Sequence, residues 1–81
     1  NNIRVIGSYD GGGYAKEILY DNNKVYLTVE MGGLQIIDVS NPASPSIIGQ
    51  VDTEFSLGIT MDEDYIYIAD EDEGLIVIRK P

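Results

Sequence analysis

The chain has 81 residues, 43% of them hydrophobic, with fourteen acidic and five basic side chains for a net charge of −9. A chain this short forms one small domain at most and buries only about 60% of its unfolded surface, so it is marginal unless something else supplies contacts. It has no cysteine and no histidine, which excludes disulfide staples, thiolate or imidazole metal centres and triads built on those residues. The acidic balance argues against nucleic acid and anionic bilayers as partners. No apolar run approaches the roughly 18 residues that span a membrane, so insertion is not expected. No initiator methionine or signal-peptide pattern stands at Asn1-Asn2-Ile3-Arg4, and the start reads as a mature or excised end.

In chain order the pattern predicts short strands over Ile3–Tyr9, Tyr14–Tyr20, Lys24–Glu30, Leu34–Val39, Ser46–Val51, Ser56–Met61, Tyr65–Asp70 and Leu75–Lys80. The breaks between them are GGG, DNN, GG, NPASP, DED and DEDEG, all turn chemistry. Apolar residues never recur at helical spacing, so the fold class is all-β. In NPASP, Pro42 and Pro45 cannot donate to a ladder and impose an extended path. That segment is a stiff corner between two strands, with Asp38 and Asn41 placed to accept from nearby amides.

The chain is also a repeat. Asp21 to Ile37 lies over Asp62 to Ile78 at a constant offset of 41, pairing Tyr26 with Tyr67, Gly33 with Gly74 and Leu34 with Leu75. Upstream, Ile6-Gly7 and Asp10 match Ile48-Gly49 and Asp52 at an offset of 42, so one extra residue sits within Gly11-Gly12-Gly13. Repeats of 40–45 residues with four strands each point to β-propeller blades. The face pattern agrees. In GLIVI, Leu75 and Val77 on one face and Ile76 and Ile78 on the other are all apolar, as in a sheet packed between two others.

Repeat 1 covers about residues 1–41 and repeat 2 about 42–81 of a single module, and the one complete blade runs from about 14 to 52. The blades are thus circularly offset against the chain. The second lacks an outer strand, whereas Ile3–Tyr9 is an outer strand with no blade. An apolar edge such as GLIVI is a hazard that proteins cover, and two blades are too few to close a ring. The expected partner is another copy of the chain, residues 3–9 of one pairing with 74–80 of the next. The expected interface residues are Ile3, Val5, Ile6, Leu75, Ile76, Val77 and Ile78. Such head-to-tail contacts give rings of even blade number if the rotation closes and filaments if it does not. The rival reading is a fragment of one longer propeller chain.

GLQIIDVSNPASPSIIG, YIYIAD and the second GLIVI resemble the LVIVD-repeat proteins over nearly the whole chain. The resemblance implies a propeller architecture and an extracellular or cell-surface location. It implies no single activity, because one fold hosts many functions.

Candidate chemistry is sparse. Asp62, Asp64, Asp70 and Asp72 lie in acidic loops that would suit calcium, but the spacing is not that of an EF-hand, and such runs serve more often as solvated hairpin tips. The triple glycine lacks the following helix that a phosphate loop needs. Six tyrosines could line a carbohydrate or peptide surface, although Tyr26 and Tyr67, at equivalent positions, fit packing between blades better. Lys16, Glu17 and Gly58 are the candidates to face a central channel. No Ser-Lys or paired-carboxylate spacing supports an enzyme, and no cofactor is expected. The sequence therefore leads to a structural or protein-interaction module that binds copies of itself or another protein, with an acidic-loop calcium- or ligand-binding domain as the alternative.

Overall fold

The computed structural model describes residues 3–53 and 55–81, which form seven strands and no helix. These are β1 (Ala15–Asp21), β2 (Lys24–Val29), β3 (Gly33–Asp38), β4 (Ser46–Val51), β5 (Ser56–Met61), β6 (Tyr65–Asp70) and β7 (Gly74–Arg79). They make two antiparallel meanders, β1-β2-β3-β4 and β5-β6-β7. Seven of the eight expected strands are present within a residue or two. The exception is Ile3–Tyr9, which is not assigned as a strand and whose inner part lies instead against the first sheet.

The turns explain the meander. Asn22 and Asn23 both adopt left-handed conformations (φ 51° and 63°), the geometry of a two-residue hairpin that continues strand twist. Gly33 and Gly74 open β3 and β7 at φ 75° and 77°, a region that costs an L-residue roughly 1–2 kcal/mol. At the corner, the Asp38 carboxylate accepts from the Ser40 amide at 2.8 Å and hydroxyl at 2.7 Å, and the Asn41 side chain accepts from the Ala43 amide at 3.2 Å. Sequence and structure agree here: the two prolines stiffen a corner that carries the chain from β3 to the outermost strand β4.

The repeat is visible in the backbone. Glu30 N–H donates to the Tyr14 carbonyl at 2.8 Å, and 41 residues on Glu71 N–H donates to Phe55 at 2.9 Å. Val39 bonds the Asn23 carbonyl as Lys80 bonds that of Asp64, both at 2.9 Å. Each innermost strand is also bulged at the same place, at Lys16 between Ala15 and Glu17 and at Leu57 between Ser56 and Gly58. A bulge adds one residue to one strand of a pair and bends it, so both sheets curve alike where β1 and β2 approach β5.

The core lies between the sheets. Tyr26, Leu34 and Ile36 of the first sheet pack on Ile66 and Ile68 of the second, with Leu19, Ile59, Ile76 and Ile78 around them. Tyr26 stands opposite Ile36 and Thr28 opposite Leu34, so these four share one face. Ile66 opposes Ile78 and Ile68 opposes Ile76. Carried back by one repeat, those four fall on Val25, Leu27, Gln35 and Ile37, which lie on the opposite face of the first sheet. The sheets therefore stack with unlike faces together, and the arrangement has a direction.

The burial values follow from that direction. Leu34 is 0% exposed, whereas its repeat partner Leu75 is 68% exposed. In dilute solution, where chains are separate, Leu34→Ala should lower the unfolding free energy by about 2–5 kcal/mol, as for other buried leucines. Leu75→Ala should change it by less than about 0.5 kcal/mol. Urea titration of both variants checks the contrast.

Candidate interaction site

The second sheet presents three features that its neighbour hides. First, β7 is an edge: β3 pairs with β2 and β4, but β7 pairs with β6 alone. Secondly, the face of β5-β6-β7 turned away from the core is open, and a shallow, almost wholly apolar groove of about 260 Å³ runs along Gly58, Thr60, Tyr67, Ala69 and Leu75. Thirdly, Gly74 faces empty space, with no atom within 4 Å of a Cβ placed there, whereas a Cβ on Gly33 would strike the Val51 carbonyl. The place that β4 fills beside β3 is vacant beside β7.

The leading segment has the complementary arrangement. Its inner part lies along the far face of the first sheet. The Tyr9 hydroxyl donates to Gln35 Oε1 at 3.0 Å, Gln35 Nε2 donates to the Gly11 carbonyl at 3.0 Å, and Gly7 sits against the Pro42 carbonyl. Through this contact Gln35 and Ile37 are buried although no sheet covers that side. Val5 is nevertheless 85% exposed, and Ile3 and Ile6 are also exposed. Tyr9 is the repeat counterpart of Val51, and Val51 itself packs on the core beside the second sheet. Tyr9 thus touches the first sheet at the position equivalent to that from which Val51 reaches the core.

Of the expected interface residues, Ile3, Val5, Ile6, Leu75 and Val77 are exposed, while Ile76 and Ile78 turn inward onto the core. Strand alternation makes that division unavoidable. Lys16 and Glu17 are exposed on β1 and Gly58 is half-buried on β5. Lys16 borders a small cleft with Phe55, Leu57, Glu30 and Glu71 where the inner strands meet.

The acidic residues close turns. Asp62 accepts from the amides of Asp64 and Tyr65 at 2.9 and 2.8 Å and from the Tyr67 hydroxyl at 2.7 Å. The buried Asp70 accepts from the amides of Phe55, Asp72 and Glu73. Asp64 and Asp72 give their amides to these turns. Among the described residues no group of three or more acidic side chains is placed to hold a metal ion. The two tyrosines expected to pack between blades differ: Tyr26 is 1% exposed in the core, but Tyr67 is only half-buried because nothing covers its face.

One pair tied to neither motif nor repeat escaped sequence reasoning. Lys80 Nζ reaches Asp21 Oδ2 at 2.7 Å, joining the two sheets, and also donates to the Asp62 carbonyl at 3.2 Å. Its repeat counterpart is Val39, so the pattern held no signal for it. The hydrogen bond that Lys80 donates to Asp21 raises the Lys80 pKa above the ordinary lysine value. The Tyr67 hydroxyl, then the Tyr65 and Asp64 amides, hold the Asp62 carboxyl below the usual range, and Ser40 does the same for Asp38.

A depressed carboxylate pKa contributes stability that is complete above about pH 4 and is lost as pH falls through the folded-state value. The raised Lys80 pKa acts oppositely, its contribution being lost as pH rises through the folded-state value. The melting temperature should therefore drop below pH 4, and Asp62→Asn should flatten that drop. Thermal melts from pH 2 to 7 on both proteins test this.

Among known proteins, a family model described as the LVIVD repeat matches residues 12–53 and 57–78, both copies of the unit. No curated protein and no solved structure matches the chain.

Proposed function

The chain belongs to the LVIVD repeat family, and from that premise we propose that it is a non-enzymatic protein-interaction module, a pair of propeller blades that assembles head to tail. Residues 3–9 of one copy add to β7 of the next and so complete its second blade. The observation that carries this reading is the vacancy beside β7, matched by an exposed, apolar outer-strand sequence at residues 3–9 that makes no strand within its own chain.

The register follows from the pair that the chain already contains. In β3–β4, Leu34 opposes Val51, Gln35 opposes Gln50, Ile36 opposes Gly49 and Ile37 opposes Ile47. Carried over, Leu75 opposes Tyr9 of the neighbour, Ile76 opposes Ser8, Val77 opposes Gly7 and Ile78 opposes Val5, with the bulge falling at Ile6. Gly7 of the neighbour then lies opposite Val77 as Gly49 lies opposite Ile36.

A second reading, one segment of a longer run of LVIVD repeats, rests on the same open face, the next blade then coming from the same polypeptide. Either way the module acts as a scaffold, in the extracellular or cell-surface setting that the family resemblance implies. The acidic-loop alternative has less support, since Asp62 and Asp70 are occupied by backbone amides.

Light scattering on the 81-residue chain should give a mass that is a multiple of 8.9 kDa, and removal of residues 1–9 should return it to the monomer. A folded monomer at high concentration contradicts the assembly. Calcium titration should release no heat and leave the melting temperature unchanged.

A further inference from the structure

We propose that, beyond strand addition, the open face of β5-β6-β7 is a docking surface for the far face of the first sheet of a second copy, so that the intermolecular junction reproduces the contact between the two sheets of one chain. This rests on the head-to-tail reading above but concerns a different surface, since a strand can add to an edge without any sheet stacking on a face.

The argument is one of equivalence. Within the chain the receiving face is Leu19, Tyr26, Thr28, Leu34 and Ile36. One repeat on, the same positions are Thr60, Tyr67, Ala69, Leu75 and Val77, with Leu75 68% and Val77 53% exposed. The inserted face within the chain is Ile59, Met61, Ile66, Ile68, Ile76 and Ile78. One repeat back, it is Ile18, Tyr20, Val25, Leu27, Gln35 and Ile37, of which Ile18 and Tyr20 are exposed. The receiving half is therefore open at Leu75 and Val77, and the inserted half is open at Ile18 and Tyr20 while the copy's own leading segment covers Gln35 and Ile37; both halves are apolar except at Thr60 and Gln35.

Gln35 is compatible with a dry contact. Its oxygen already accepts from Tyr9, and its nitrogen donates to the Gly11 carbonyl at 3.0 Å, so docking strands no polar group of this side chain. The Tyr67 hydroxyl is likewise held by Asp62 at 2.7 Å.

Surface area points the same way. The chain exposes 5504 Å², about 700 Å² more than the roughly 4,800 Å² of a compact monomer of its mass. That excess is close to the about 800 Å² that each partner contributes to a standard interface.

The discriminating variant is Ala69→Arg, which lies on the open face in β6 and not on the β7 edge. Ala69 is exposed in the single chain, so folding should be unchanged by circular dichroism, while a charge placed in the apolar junction should weaken assembly at least about 100-fold. Ala69→Thr, which restores the residue standing at Thr28, should assemble as the parent does. Assembly of Ala69→Arg at parental strength, alongside a monomeric deletion of residues 1–9, would overturn face docking and leave strand addition standing. A monomeric parent removes both. Carbene footprinting of the parent chain gives an answer that needs no variant: labelling of Tyr67, Ile18 and Tyr20 should fall as concentration rises. Protection confined to residues 4–9 and 75–79 would overturn the proposal.

Discussion

Each sheet of this repeat is apolar on both faces, and such a sheet cannot bury itself. One face can be covered by the next sheet, but that sheet then carries the same need forward. Tyr26, Thr28, Leu34 and Ile36 are sealed because Ile66 and Ile68 lie on them. Their counterparts Ala69, Leu75 and Val77 are exposed and Tyr67 is half-buried, because no described sheet lies on that face. The open edge, the exposed arm and the modest five-residue core all descend from that one constraint. It also explains the extended shape: a radius of gyration of 13.0 Å exceeds the about 12 Å expected of a compact domain of this length.

The constraint differs from ordinary surface hydrophobicity in having a direction. The two sheets meet with unlike faces, so a further sheet can be added in only one sense, and the leading segment already lies on the far face of the first sheet through Tyr9, Gly11 and Gln35. Heterologous contacts of this type close into rings or run on as filaments according to the rotation per step. The Lys80–Asp21 pair belongs only to the junction within the chain. At a junction between copies its counterparts would be Val39 and Asp62, so the proposed junction would share the apolar packing but not this ionic tie.

Much of this was legible in the sequence, and the reasons are physical. Turn chemistry at Asn22-Asn23, Gly33, Pro42 and Pro45 punctuates the chain where backbone geometry demands it, so the seven strands lie where the pattern places them. Two-faced apolarity in GLIVI marks a sheet packed on both sides. The strand expected at Ile3–Tyr9 is absent because pairing is not a property of a segment alone: the segment lies on a sheet face through Tyr9, Gly11 and Gln35 rather than along a strand edge. Which tyrosine is buried was hidden for a related reason. Tyr26 and Tyr67 are equivalent by pattern, and only the order of stacking separates them. The turn roles of Asp62 and Asp70 were obscured by their neighbours, since in a run of acidic residues nothing in the pattern marks the one whose carboxylate folds back onto the amides.

The central claim is that β7 is an interior strand awaiting its partner. Amide hydrogen exchange of residues 75–79, followed from dilute to concentrated solution, tests it most directly. Protection that rises with concentration until it matches that of residues 34–38 is the outcome expected of a completed blade. Exchange in β7 that stays fast at every concentration, while β3 remains protected, would contradict it.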